Sequence, residues 1–135
     1  MGEIVGAALV SHVPTLMLSE EVRRSLNGGE DTTLFDGLHQ LRADKLADLA
    51  PDTVVVTDTH WYTTIEHIVS SHERRHGIYT SEELPRSVRQ VPYDLIGDPE
   101  LATAWADTSL NRDDTWITAI DDPYMPIHYL SLIHI

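Results

Sequence analysis

Two apolar runs constrain how this chain can fold. Ile4-Val5-Gly6-Ala7-Ala8-Leu9-Val10 and the run in Thr53-Val54-Val55-Val56-Thr57-Asp58-Thr59 are each too short for a stable helix and are bounded by polar residues, so strands are expected at 4–10 and 53–59. That is the pattern of a strand buried on both faces. Helical periodicity lies between them, so the order strand, loop, helix, strand favours a parallel pair. Each run leads into a histidine: His12 in Ser11-His12-Val13-Pro14, and His60 in Asp58-Thr59-His60-Trp61. The expectation is two imidazoles side by side at the carboxyl edge of a sheet, where open α/β folds bind their ligands.

The remaining elements are read from local signals. Ser19-Glu20-Glu21 opens a short helix through Leu26, and Asn27-Gly28-Gly29 ends it. A second helix takes its cap from Asp31, Thr32 or Thr33 and carries Leu34, Leu38, Leu41, Lys45 and Leu49 at helical spacing, with Pro51 as its stop. Thr63 to Ser71 has strand composition, whereas the polar stretch from Ser71 to Pro92 reads as a long loop or flap. Asp98 caps a helix with Pro99 at its first position, running to Ser109. Thr115 to Ile120 is a third apolar strand, followed by a loop that carries His128. The fold class expected is α/β, a mainly parallel sheet flanked by helices.

Composition narrows the partners. A chain of 135 residues makes one domain with a real core. A formal charge of −13 argues against nucleic acid and anionic membrane surfaces, which need a basic footprint. With no cysteine, disulfides, thiolate metal sites and thiol nucleophiles are excluded. No apolar run reaches the length of a membrane span and Met1-Gly2-Glu3 lacks a basic leader, so a cytoplasmic location is expected. Arg74, Arg75, Arg86 and Arg89 cluster in sequence, either as a solvated surface or as a device that steers an anionic substrate.

His12 and His60 stand apart among the eight histidines because their contexts are alike. Two neutral imidazoles suit a divalent transition metal, and a carboxylate would complete a facial triad. No residue of this chain stands out as that third ligand, although Asp58 can serve as a ligand or as an acceptor that orients one. A metal-free histidine pair acting as acid and base is the alternative. Nucleophile-elbow, phosphate-loop and dinucleotide fingerprints are absent from the sequence. His39 reads as solvent-facing on its helix, and His67, His72 and His76 lie in or after a strand.

Ser11-His12-Val13-Pro14, Asp58-Thr59-His60-Trp61 and Tyr79-Thr80-Ser81-Glu82-Glu83-Leu84-Pro85 together resemble the N-terminal half of the class III extradiol ring-cleaving dioxygenases. The resemblance implies that His12 and His60 bind non-haem Fe(II), in preference to Mn(II) or Zn(II). It implies that His128, in Pro126-Ile127-His128-Tyr129, is an active-site acid/base. The partners implied are O₂ and a catechol, with 3,4-dihydroxyphenylacetate the expected one, opened to a hydroxymuconic semialdehyde. A homo-oligomer is implied for the full-length protein. The family's third ligand, a glutamate, belongs to a C-terminal half beyond this sequence. Residues 1–129 are thus expected to be the N-terminal part of one larger catalytic domain, inactive alone. Residues 130–135 depart from the family pattern and are expected to be a non-native tail, of the kind left by translated adapter read-through. A Zn-dependent hydrolase and a non-catalytic binding protein on the same scaffold are the rival readings.

Overall fold

The computed structural model describes residues 2–11, 13–58, 63 and 65–127. Helix α1, Glu20–Leu26, begins where the Ser19 hydroxyl accepts a hydrogen bond from the Val22 amide at 3.5 Å. Glu20 and Glu21 in its first turn and Arg23 and Arg24 in its last suit the helix dipole. It ends in two residues of left-handed backbone, Gly28 (φ 66°) and Gly29 (φ 97°). The Gly29 amide closes the turn on the Arg24 carbonyl at 2.8 Å, a bond that a Cβ at either position would strain.

Thr32 supplies the cap of the second helix, its hydroxyl accepting from Leu34 N at 3.2 Å. From there α2, Thr33–Gln40, continues without a break through a π-helical stretch, Leu41–Leu46, into a last α turn, α3, Ala47–Leu49. Ala50 turns left-handed (φ 41°) just before Pro51, which ends the helix. Helix α4, Pro99–Ser109, has Asp98 as cap: one carboxylate oxygen accepts from Leu101 N and the other from the Thr53 hydroxyl, both at 2.9 Å.

Among the described residues, four strands form two pairs. Strands β1, His67–Ser70, and β4, Ile117–Ile120, run parallel, with His67 opposite Ile117 and Ser70 opposite Ile120. Helix α4 packs against this pair. Strands β2, Arg74–Tyr79, and β3, Val91–Ile96, form an antiparallel hairpin running from Arg74 opposite Ile96 to Tyr79 opposite Val91. The Gly97 amide donates to the Glu73 carbonyl at 2.9 Å, so close to the chain before it that a Cβ there would collide with the His72 carbonyl.

The hairpin's connection is a closed loop. Ser81, 1% exposed, donates its amide to the Val88 carbonyl at 2.9 Å and accepts from Leu84 N on its hydroxyl at 3.1 Å. Gln90 N reaches the Thr80 hydroxyl at 3.2 Å, joining the two ends. Tyr79 and Val88 form the core here, with Met17, Leu18, Leu84, Val91, Tyr93 and Ile127 packed around them.

The α/β class expected from sequence is what the chain adopts, with β1 and β4 as its parallel pair. Two expectations need correction. Of the strands expected at 4–10 and 53–59, the described residues, 4–10 and 53–58, lie in no strand; they are largely exposed, Ile4 at 89% and Leu9 at 103%. Apolar composition permits a strand but does not make one, because the backbone bonds must come from a neighbouring strand. Second, the polar stretch from Ser71 to Pro92 contains β2 and, at its end, the start of β3. Its charges do not break the ladder: Arg74, on the exposed face of β2, meets Asp94 across the hairpin (Nε–Oδ1 2.7 Å).

Candidate functional site

His12, His60 and His128 lie outside the described residues, so the site is built from the segments that lead to them. After His12, Val13 leads into a 3₁₀ turn, Pro14–Met17, with Leu16 buried and the Leu18 amide closing on the Thr15 carbonyl at 3.0 Å. Before His12, the chain passes the second helix: Gly6 abuts Leu49, and Leu9, Val10 and Ser11 line an apolar groove of about 310 Å³ together with Leu34, Leu38 and Leu41. A second depression of about 470 Å³ lies against α4, lined by Pro99, Glu100, Thr103, Ala104 and Asp107, none of them from the histidine flanks.

One cluster supports the flanks of both His12 and His128. Met17 and Leu18 from the first and Ile127 from the second pack on the same Tyr79–Val88 cluster. This is also what the Tyr79–Pro85 motif does: Tyr79 and Ser81 are buried, and the rest closes the loop above them. Asp58, before His60, is half-buried, and the Thr63 hydroxyl donates to the Glu66 carbonyl just ahead of β1.

The segment that runs into His128 is held by hydrogen bonds. Asp122 closes it as a turn, its carboxylate accepting from Tyr124 N at 2.8 Å and its carbonyl from Met125 N at 3.0 Å. His72 Nε2 lies 2.9 Å from the same carbonyl, while Nδ1 lies 2.9 Å from the Ser70 hydroxyl. A carbonyl can only accept, which assigns Nε2–H as the donor and leaves Nδ1 to accept from Ser70. Arg75 donates to the carbonyls of Met125 and Pro126. Sequence reasoning missed these roles of His72 and Arg75. Their partners lie about 50 residues away, and no local pattern marks them.

The arginine cluster therefore divides. Arg74 is paired with Asp94, whose carboxyl is held below its ordinary range chiefly by that hydrogen bond. Arg75 is spent on backbone carbonyls, and Arg86 and Arg89 are exposed. His39 is exposed as expected, its ring edge-on to Phe35 at 4.6 Å between centroids.

Among the described residues no three histidine, aspartate or glutamate side chains come close enough to hold a metal. Two imidazoles, the donors that His12 and His60 offer, suit two of the three positions of a facial triad. Also among the described residues, no helix is long and apolar enough to cross a membrane.

Comparison with known proteins bears directly on these segments. Residues 6–127 match the family described as "Catalytic LigB subunit of aromatic ring-opening dioxygenase". Over 110 residues the chain is 34% identical to the 3,4-dihydroxyphenylacetate 2,3-dioxygenase of Escherichia coli, covering 82% of this chain and 39% of that protein. The chain thus spans about two-fifths of that relative's length.

Proposed function

The chain belongs to the family of the catalytic LigB subunit of aromatic ring-opening dioxygenases, and from that premise we propose that its full-length protein opens a catechol ring beside the diol with O₂ and non-haem Fe(II). The observation that carries this reading is the family match itself, which encloses His12 and His60 and ends at the residue before His128. In this reading His12 and His60 are two of the iron's ligands, and the third is a glutamate supplied by the rest of the protein. Bound iron would supply a common template for the two catechol oxygens and O₂. His128 takes and returns the proton of a catechol hydroxyl on its imidazole. The Tyr79–Val88 cluster, through Ile127 and Leu18, gives the two flanking segments a shared apolar support. The substrate proposed is 3,4-dihydroxyphenylacetate, the compound in the relative's name.

The test is oxygen uptake by the full-length protein, purified without metal and reloaded with Fe(II), on addition of 3,4-dihydroxyphenylacetate. One O₂ consumed per catechol, with a yellow ring-opened product, is the expected result. No uptake with Fe(II), or turnover with Zn(II) in the absence of O₂, overturns the proposal.

A further inference from the structure

We propose that Arg75 is a positioning residue that sets the direction in which the backbone runs into His128; the proposal rests on His128 being the acid/base assigned above. Arg75 and Arg74 are neighbours on β2 with different uses. Arg74 is exposed and pairs with the Asp94 carboxylate across the hairpin. Arg75 is half-buried, and its guanidinium donates to two successive carbonyls, Met125 and Pro126. A rigid planar fork is well suited to such a hold, because it fixes both the distance and the orientation of the peptide units it grips.

Two further anchors act on the same short segment. His72, just after β1, holds the Asp122 carbonyl at 2.9 Å, with its ring fixed by the Ser70 hydroxyl. Ile127 packs on the Tyr79–Val88 cluster. The Asp122–Ile127 backbone is therefore held at its start by His72, near its end by Arg75, and at its last described side chain by the core. A catalytic group works only within a narrow range of position, and a displacement of about an ångström can cost roughly two orders of magnitude in rate. Arg75 is the anchor nearest His128 in sequence that acts by hydrogen bonding.

The experiment compares Arg75→Gln, Arg75→Lys, Arg74→Gln and His128→Ala in the full-length protein. Steady-state kinetics and amide exchange without metal or substrate are both measured. Arg75→Gln is expected to lower kcat roughly tenfold while KM stays within about twofold. It should also speed exchange at the Tyr124 and Met125 amides without affecting those of β2 and β3. Arg75→Lys, which keeps a donor to one carbonyl, should recover part of kcat, and Arg74→Gln should match the parent. Unchanged kcat in Arg75→Gln overturns the proposal, as does exchange that rises across the whole hairpin, the mark of a simple fold staple. Full turnover in His128→Ala overturns the His128 assignment itself, and this proposal with it. Should Arg75→Gln not fold, His72→Gln removes the other hydrogen-bonded anchor. The same kcat loss and the same local exchange are then required.

Discussion

The guanidinium of Arg23 meets the carboxylate of Asp31 in a two-pronged pair, Nε to Oδ1 at 2.8 Å and Nη2 to Oδ2 at 2.7 Å, that ties α1 to the start of α2. The third arm of Arg23 donates to the Leu18 carbonyl at 2.7 Å, and its plane lies 4.1 Å over the Phe35 ring. Arg23 is 7% exposed and Asp31 22%, so water screens the pair less than it would an exposed one. Through Leu18, the pair braces the end of the turn that follows His12.

The pair also makes stability depend on pH in a defined direction. The Arg23 hydrogen bond holds the Asp31 carboxyl down to about 2. A carboxyl depressed in the folded state contributes stability that is complete above its unfolded pKa of about 4, and that is lost as pH falls through the folded value. Asp31→Asn should therefore lower Tm at pH 7, and the gap between variant and parent should close between about pH 4 and about pH 2. Thermal denaturation of the two proteins across that range checks it. A gap that persists unchanged at the acid end would show that the pair is not its source.

Val88 is 1% exposed at the centre of the cluster that joins the flanks of His12 and His128. Val88→Ala removes two methyl groups and leaves a cavity, a loss of about 2 kcal/mol. Denaturant unfolding should show a lower midpoint at an unchanged slope. Because Met17 and Ile127 share the cluster, amide exchange should quicken in both flanks together.

Ser109 joins the end of α4 to the start of β4. Its hydroxyl accepts from Ile117 N at 3.1 Å and donates to the Ala106 carbonyl at 2.7 Å, and the residue is 3% exposed. Ser109→Ala leaves the Ile117 amide buried without this acceptor, at a cost of about 1–3 kcal/mol. The Ile117 amide should exchange faster in the variant, whereas the hairpin β2–β3 should not respond.

For the chemistry, His12→Ala and His60→Ala in the full-length protein should each abolish stoichiometric iron binding, as measured by metal analysis after gel filtration. His128→Ala should retain the iron and lose most turnover, by about 10²-fold or more, the size expected for a general acid/base. Normal iron content and turnover in His12→Ala would remove that histidine from the ligand set.

The helices were legible because their signals are local. Ser19 and the Gly28-Gly29 pair bound α1, Thr32 and Pro51 bound the second helix, and Asp98-Pro99 opens α4, each through hydrogen bonds a few residues long. The π-helical turn at Leu41–Leu46 left no mark in the leucine spacing. Strand positions were legible only in part, and the observed pairings were not. β1 and β4 appeared at their expected places, but the hairpin was hidden by its charged residues. The described residues of the strands expected at 4–10 and 53–59 show the reverse, strand-like residues in no strand. The candidate chemistry was written in short motifs around His12, His60 and His128. What those motifs did not contain was the bracing of their flanks: the Tyr79–Val88 cluster, the Arg23–Asp31 pair, and the hold of His72 and Arg75 on Asp122–Pro126. The sequence by itself determined where helices start and stop and which residue types the chain offers for chemistry, because those depend on residue type and near neighbours. Only the tertiary structure decided which strands pair and which distant groups support the site, because a β ladder and a long-range hydrogen bond exist only when the chain has brought both partners together.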